Sequence, residues 1–279
     1  MAPGSESAME DKLTSLQDAA SLVKSGWTLA LGGMTLYRRP VALVRALLQA
    51  ELRLTDLTLL CFTASYESDL LVGAGMVSTV RSCYFGMEIF GLAPMFTEAA
   101  NQGRIRIIEE TEASLSFGMR AHLANVSFMP GYAWVGTDLP RLRPDVQIID
   151  DPYDPGQKLA AFPAISWDVA VIHALQADRR GNARLNANIA VDAELALGAT
   201  KHVIVTAEEI VDGFTERVEI PGAVVSAVVH APQGAWPTSC YPHYPLSGGE
   251  ILRYIEACNN RQFEAYIAEM MAPEQTQLD

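Results

Sequence analysis

Residues 167–212, WDVAVIHALQADRRGNARLNANIAVDAELALGATKHVIVTAEEIVD, decide the fold of this chain. Two apolar runs within them, Val169–His173 and Val203–Ala207, are short and rich in β-branched residues, which is typical of buried strands. The segment Asp192–Gly198 between these runs has a helical pattern and ends at a glycine. A strand, a crossover helix and a second strand predict a βαβ unit, and hence a parallel sheet.

The polar segment 177–189, which directly follows the first of these strands, is a candidate site. In an open parallel sheet, ligands bind at the carboxyl ends of the strands. The segment is rich in side chains that form hydrogen bonds or carry charge: Asp178, Arg179, Arg180, Asn182, Asn186 and Asn188, with Gly181 among them.

Strands and helices alternate along the rest of the chain as well. The patterns predict further strands at 27–31, 57–62, 77–85, 104–109, 127–129, 146–149 and within 221–230, and further helices at 13–24, 41–52, 69–75, 90–103, 112–125 and 250–271. A proline-rich loop follows the strand at 127–129. We therefore predict an α/β fold with an open, mainly parallel sheet flanked by helices. It forms a single domain over residues 11–272, between a disordered lead at 1–10 and a tail at 273–279.

Composition limits the function classes. The chain of 279 residues has 33 acidic and 20 basic residues and a net charge of −13, which argues against general nucleic-acid binding. Its apolar runs fall short of the roughly 18 residues that a membrane span needs. The four cysteines are scattered, so we predict neither a metal site nor a disulfide framework, and we expect a reducing cytoplasm.

The turn after the first strand, Gly32-Gly33-Met34-Thr35-Leu36-Tyr37-Arg38-Arg39-Pro40, is the first candidate for chemistry. Glycines after a strand allow backbone N–H groups to approach a ligand, and the next helix begins at Pro40. Arg38 and Arg39 could pair with a carboxylate or a phosphate. The alternative is a tight turn with two solvated arginines.

A second candidate is Glu109-Glu110-Thr111-Glu112, at the carboxyl end of the strand predicted at 104–109. A buried carboxylate there could act as an acid, a base or a nucleophile. The alternative is that these acids favour the helix macrodipole at the start of the next helix. His173 could contact a ligand, although a core histidine with satisfied hydrogen bonds is the more common case. Cys61 is more typical of an inert buried thiol than of a nucleophile.

Four stretches together resemble the α (A) subunit of the family I coenzyme A-transferases, in the glutaconate CoA-transferase branch. They are SGWTLALGGMTLYRRPVALVRAL (25–47), IEETEASLSFGMRAHLANVSFMPGYAWVGTDLP (108–140), residues 168–212, and PQGAWPTSCYPHYPLSGGEILRYIE (232–256). The resemblance implies a CoA-transferase α/β fold and a β-subunit partner in a heterodimer or an α2β2 assembly. The implied substrates are acyl-CoA thioesters and carboxylic acids, so coenzyme A is a substrate and no cofactor is permanently bound.

In this family a glutamate nucleophile forms anhydride and thioester intermediates, and in two-subunit members it belongs to the β chain. The resemblance thus implies that Gly32, Gly33, Met34, Arg38 and Arg39 bind substrate. The sequence Tyr37-Arg38-Arg39-Pro40 departs from common transferase α subunits and is closer to relatives with other chemistry. These are a steroid ring-opening CoA-ester hydrolase, in which the catalytic glutamate would correspond to Glu112, and a decarboxylase of glutaconyl-CoA. A non-catalytic scaffold subunit is the remaining alternative.

Overall fold

The structure is a computed structural model that describes residues 11–49, 53–185 and 190–272. Its strands are β1 Thr28–Leu31, β2 Leu57–Cys61, β3 Val77–Ser82, β4 Arg106–Glu109, β5 Phe128–Gly131, β6 Gln147–Asp150, β7 Lys158–Pro163, β8 Trp167–Asp178, β9 Ala183–Arg184, β10 Ala199–Val211 and β11 Ala227–His230. Its helices are α1 Leu16–Ser21, α2 Val41–Gln49, α3 Tyr66–Gly73, α4 Pro94–Asn101, α5 Glu112–Leu123, α6 Leu139–Leu142, α7 Asp192–Gly198, α8 Gly248–Asn259 and α9 Phe263–Met271. Short 3₁₀ turns lie at Glu88–Phe90 and Gly222–Val224.

The main sheet has the order β11-β10-β8-β1-β2-β3-β4, and each neighbouring pair in this order is parallel. β8 and β10 pair over most of their length and are joined through α7, so the predicted βαβ unit is confirmed. The predicted fold class is confirmed as well. Within the polar segment, β9 folds back antiparallel on β8. Asn186 and Asn188, which the sequence placed in the candidate site, lie outside the described residues.

Both faces of the main sheet are covered, because alternate residues of its central strands point to opposite sides. Val169 and Val171 belong to a core that α1, α2, α3, α4, α8 and α9 cover. Ala170 and Ile172 belong to the core on the other face, which α5 and α7 cover. Because both faces of the sheet are buried, we expect ligands to bind at the edge where the carboxyl ends of the strands lie.

Two parts of the chain differ from the prediction. The proline-rich region contains β7, which lies between β5 and β6 in a small antiparallel sheet that has its own core of Trp134, Val146, Ala160 and Phe162. The closing helix is also broken into α8 and α9, since Arg261 has a positive φ of 59° that an α-helix cannot accommodate. Across the described ranges, none of the helices has the length and hydropathy needed to cross a membrane.

Candidate active site at the carboxyl edge of the main sheet

The turn after β1 is held together by its own backbone. Gly32 N–H donates to the Val171 carbonyl at 2.9 Å, and Met34 and Tyr37 exchange backbone hydrogen bonds at 2.9 and 2.8 Å. Gly33 has a φ of +85°, and a Cβ at this position would lie 2.5 Å from the Arg38 carbonyl oxygen. The turn therefore requires glycine at position 33 for reasons of conformation and space.

Gly33 N–H donates to the Asp192 carboxylate at 2.9 Å. The N–H groups of Gly32, Gly33 and Met34 are thus all used within the chain. Binding an anion through these donors would require breaking these hydrogen bonds. Substrate binding by these three residues stays a prediction, and in the structure their N–H groups stabilise the turn.

Arg38 and Arg39 are both completely buried, so the alternative of two solvated arginines is wrong. Arg38 donates to Asp192 at 2.7 Å and to the His173 carbonyl at 2.7 Å. Arg39 pairs with Glu67 at 2.5 Å and donates to the Gly33 carbonyl at 2.9 Å. Their contact with a substrate carboxylate stays a prediction, because here both guanidinium groups bind buried acids and backbone carbonyls of this chain.

The central stretch 167–212 therefore has a structural connection to the turn. Asp192 is the first residue of α7, and its carboxylate bonds both Gly33 and Arg38. No sequence signal linked this aspartate to the turn, which lies more than 150 positions earlier in the chain. Arg39 keeps its proton, since the attraction of Glu67 outweighs burial and raises the pKa of Arg39 above its ordinary value.

The acidic segment after β4 divides into one buried and two exposed carboxylates. Glu110 is 3% exposed and accepts hydrogen bonds from Arg81 at 2.9 Å, Arg143 at 2.6 Å and Ser114 at 2.5 Å. Glu109 and Glu112 are exposed, and Glu112 opens α5 next to the capping residue Thr111. The buried Glu110 is fully engaged, so the accessible carboxylates of this segment are those of Glu109 and Glu112.

Glu112 lies near the half-buried thiol of Cys83, at the end of β3. Burial, together with the negative charge of Glu112, raises the pKa of the Cys83 thiol to about 12, so this cysteine is protonated at neutral pH. The Cys83 thiol donates to the Phe62 carbonyl at 2.6 Å. The thiol near Glu112 is therefore neutral at neutral pH.

A buried network surrounds His173 at the ends of β8 and β10. The ring forms hydrogen bonds with the Thr206 hydroxyl at 2.8 Å through Nδ1 and with the Glu208 carboxylate at 2.7 Å through Nε2, and Glu208 also accepts from the Tyr244 hydroxyl and from Gln233 N–H. Burial lowers the pKa of His173, so the ring is neutral. Burial alone would raise the pKa of Glu208, but the hydrogen bonds from His173 and Tyr244 outweigh it and lower that pKa.

Both nitrogens of His173 are therefore satisfied, as the core interpretation of this histidine predicts. Donor atoms of His173, Glu208 and Cys240 lie within 4.8 Å of one another. A metal ion there would have to displace the His173–Glu208 hydrogen bond, so we assign this cluster a structural role. The sequence did not predict Glu208 or Tyr244 at this site, because the register that sets Thr206 beside His173 on adjacent parallel strands follows only from the tertiary fold.

Comparison with known proteins gives consistent results. A family model described as coenzyme A transferase matches residues 13–231. The A subunit of 3-oxoadipate CoA-transferase from Pseudomonas knackmussii is 33% identical, over 94% of this chain and 93% of the relative. The cholesterol ring-cleaving hydrolase IpdA subunit of Rhodococcus jostii is 30% identical, over 93% of this chain and 86% of the relative. An uncharacterised protein of Archaeoglobus fulgidus is 32% identical over 93% of this chain, and the aligned part makes up 60% of that longer protein.

The crystal structure of glutaconate coenzyme A-transferase from Acidaminococcus fermentans superposes with a TM-score of 0.85 at 30% sequence identity, covering 92% of this chain and 88% of that chain. Since the family model covers well over half of the sequence and relatives above 30% identity align along nearly all of it, this chain belongs to the coenzyme A transferase family.

Proposed function

We propose that this chain is the α (A) subunit of a two-subunit CoA-transferase, which moves coenzyme A from an acyl-CoA thioester to a free carboxylic acid. The proposal rests on one observation: this chain aligns along nearly its full length with a relative that is itself one subunit of such an enzyme. This chain and that relative, from the 3-oxoadipate CoA-transferase of Pseudomonas knackmussii, cover 94% and 93% of each other. The relative is named as one subunit, which supports a second subunit here.

The arrangement of carboxylates supports a nucleophile supplied by the partner. Glu67, Glu110, Asp192 and Glu208 are buried and each forms an ion pair or accepts several hydrogen bonds. A carboxylate held in this way is a poor nucleophile, because attack on a thioester would break its stabilising contacts. In the transfer that we propose, a glutamate of the β chain attacks the thioester, and the chain described here shapes the cleft with the turn at Gly32–Arg39.

Exposed apolar side chains support the presence of that partner. Ile89 and Leu92, in the segment between β3 and α4, are 91% and 72% exposed. Large apolar side chains grouped on a surface are typical of interaction sites. We propose that the β subunit covers this part of the surface.

A specific observation also favours a second candidate function. Glu112 is exposed, directly follows the carboxyl end of β4, and could act as a general base in a CoA-ester hydrolase or another bond-cleaving enzyme. The identity of 30% to a ring-cleaving hydrolase subunit is compatible with this candidate, whereas the relatives named as transferases favour the first.

One experiment separates the two functions. The chain would be purified together with its β partner in three forms: the wild type, Glu112→Gln, and Glu109→Gln, which removes the neighbouring exposed carboxylate and serves as a matched control. Each enzyme would be incubated with acyl-CoA and treated with borohydride, which reduces an enzyme-bound thioester, and the modified peptide would be found by mass spectrometry.

For a transferase we expect borohydride to modify a glutamate of the partner in all three enzymes, and Glu112→Gln to keep its acyl-CoA turnover within a few-fold. If Glu112 is the base, its replacement should lower turnover by about 10²–10⁴-fold while Glu109→Gln remains active. That loss, together with an unmodified partner, would contradict the transferase proposal.

A further inference from the structure

A cavity of about 440 Å³, lined by residues other than those of the Gly32–Arg39 turn, lies where α2, the segment after β11 and the end of α9 meet. Its volume falls within the range of roughly 300–1,000 Å³ that is common for small-molecule sites. It lies beyond the carboxyl end of β11, the edge at which open parallel sheets bind ligands. The residues that matter for its chemistry are Arg45, His230, Gln233, Trp236 and Met270.

Arg45 differs from the other arginines of the described chain that are not exposed. Arg38, Arg39, Arg81, Arg143 and Arg184 each form an ion pair with an aspartate or a glutamate. Among the described residues, Arg45 has neither an ion pair nor a hydrogen bond, and its Nε is buried without a partner. Its guanidinium group stacks over the Trp236 ring, 5.7 Å from the ring centroid.

The rest of the lining strengthens this contrast. The chain carries a net charge of −13, yet the described residues that line this cavity include an arginine, a histidine and two glutamines and, among them, no aspartate or glutamate. A cation in partly buried surroundings without a carboxylate has a favourable site for an anion beside it. The planar face of Trp236 holds the guanidinium in place, so little side-chain freedom would be lost on binding.

The other wall of the cavity is apolar. Leu16, Ala46, Met270 and Met271 line it, and all four are buried or half-buried. A phosphate or a sulfate would leave this wall without contacts, whereas a carboxylate on a short hydrocarbon chain would use both the cation and the wall. Methionine side chains adapt readily to such a chain because they are flexible and polarisable.

We propose that this cavity binds a small aliphatic carboxylate, with the carboxylate on Arg45 and the hydrocarbon chain against Leu16 and Met270. No residue of Gly32–Arg39 lines the cavity, and the proposal does not depend on which reaction the enzyme catalyses. It rests on the unpaired guanidinium, on the acid-free lining and on the apolar wall.

The test is calorimetric titration of the full-length chain, with any subunit that copurifies, using hexanoate as the probe. Hexanamide has the same chain without the charge, and inorganic phosphate has charge without a chain. The variants are Arg45→Gln, Arg45→Lys, and Arg106→Gln as a matched control at an exposed arginine on β4. Thermal melting of each variant shows whether it is folded.

We expect saturable binding of hexanoate that weakens by at least about tenfold in Arg45→Gln and by less in Arg45→Lys, which keeps the charge and loses the planar fork. Arg106→Gln should bind as the wild type does. Hexanamide and phosphate should bind at least about tenfold more weakly than hexanoate. The proposal is overturned if hexanoate shows no saturable binding, if phosphate binds as well as hexanoate, or if a folded Arg45→Gln variant binds hexanoate like the wild type, which would place the carboxylate elsewhere.

Discussion

At the scale of single residues, the pair Arg39–Glu67 shows how the turn after β1 is anchored. Both side chains are fully buried, and the ion pair at 2.5 Å joins the turn to the first turn of α3. Removing one partner leaves an uncompensated buried charge, which costs about 3–5 kcal/mol. We therefore expect Arg39→Met to lower the free energy of unfolding by about this amount, as measured by urea denaturation.

A matched double variant tests whether the charge itself is responsible. Glu67→Gln in the Arg39→Met background neutralises the stranded carboxylate, so it should restore part of the lost stability. If the double variant is instead less stable than Arg39→Met alone, the cost comes from lost packing of the arginine side chain rather than from the unpaired Glu67 charge.

Comparison of Gly33 with Gly26 separates two costs of adding a side chain, the strain of a positive φ and the steric clash of the Cβ. Alanine at position 33 must adopt a φ of +85° and place its Cβ 2.5 Å from the Arg38 carbonyl, whereas alanine at Gly26 must adopt a φ of +78° with nothing within 4 Å. Gly26→Ala should therefore cost about 1–2 kcal/mol, the penalty of the left-handed region alone. Gly33→Ala should cost clearly more and lower activity, as measured by urea denaturation and turnover assays. Equal costs in the two variants would show that the turn can open to accept a side chain.

These residues also show what the sequence could predict at this scale. The glycines after an apolar strand and the two arginines identified the turn, because their types restrict what a turn can do. Their partners could not be predicted, since Asp192 and Glu67 reach the turn only through the crossover helix and through α3. A fully buried arginine has the same local sequence as a solvated one, and only the tertiary fold distinguishes the two.

At the scale of elements, a single buried acid connects α3, α4 and α8. Asp69 accepts from the N–H groups of Met95 and Phe96 in the first turn of α4, at 3.2 and 2.7 Å, and from the Tyr254 hydroxyl of α8 at 2.7 Å. Burial, opposed by these hydrogen bonds, raises the pKa of Asp69 from 3.8 to about 6. The carboxyl group thus holds its proton more tightly in the folded chain than in the unfolded chain.

Because folding raises the pKa of Asp69, this group stabilises the folded chain at low pH and not at high pH. The contribution of Asp69 is fully present below about pH 3.8 and is lost as the pH rises through about 6, where the buried group must ionise. The difference of about 2 in pKa corresponds to about 3 kcal/mol. We expect the free energy of unfolding of the wild type, relative to Asp69→Asn, to fall by about this amount between about pH 4 and pH 8.

Asp69→Asn is the matched control because it keeps an acceptor for the α4 cap and cannot titrate. All other titrating groups, including His173, are common to both proteins, so they cancel in the comparison of urea denaturation curves. Parallel pH profiles for the two proteins would mean that folding does not raise the pKa of Asp69, and would contradict the prediction.

The elements themselves were predictable where a local pattern determines them. The central βαβ unit follows from two β-branched runs and a helical segment ending in glycine, and each is visible in the sequence alone. The break between α8 and α9 was not predicted, since it depends on the positive φ of Arg261, a residue that ordinarily favours helix. β7 was missed because Pro155 lies shortly before it, Pro163 ends it, and its pairing with β5 joins residues more than 25 positions apart.

At the scale of the whole molecule, the question is whether the small sheet folds with the main sheet. α5 contacts both cores, since Leu115 and Met119 belong to that of the main sheet and Phe117 packs against that of the small sheet. Two polar contacts add to this connection, from Arg143 to Glu110 at 2.6 Å and from the Trp134 indole to Thr111 at 2.9 Å. These contacts predict one cooperative unit, and the single domain expected over residues 11–272 stays a prediction.

Phe162→Ala tests this cooperativity. Phe162 is 1% exposed, stacks on Phe117 with the ring centroids 5.3 Å apart, and meets the Trp134 ring edge-on at 5.4 Å. Its replacement should cost about 3–5 kcal/mol, while Ile148→Ala, at a position 41% exposed on the same sheet, should change stability by at most about 0.5 kcal/mol. In a single unit, the most protected amides of β7 and β8 should exchange hydrogen faster by the same factor in Phe162→Ala, and the urea transition should keep its slope. If exchange accelerates in β7 alone, the small sheet opens independently of the main sheet, and α5 does not couple the two cores.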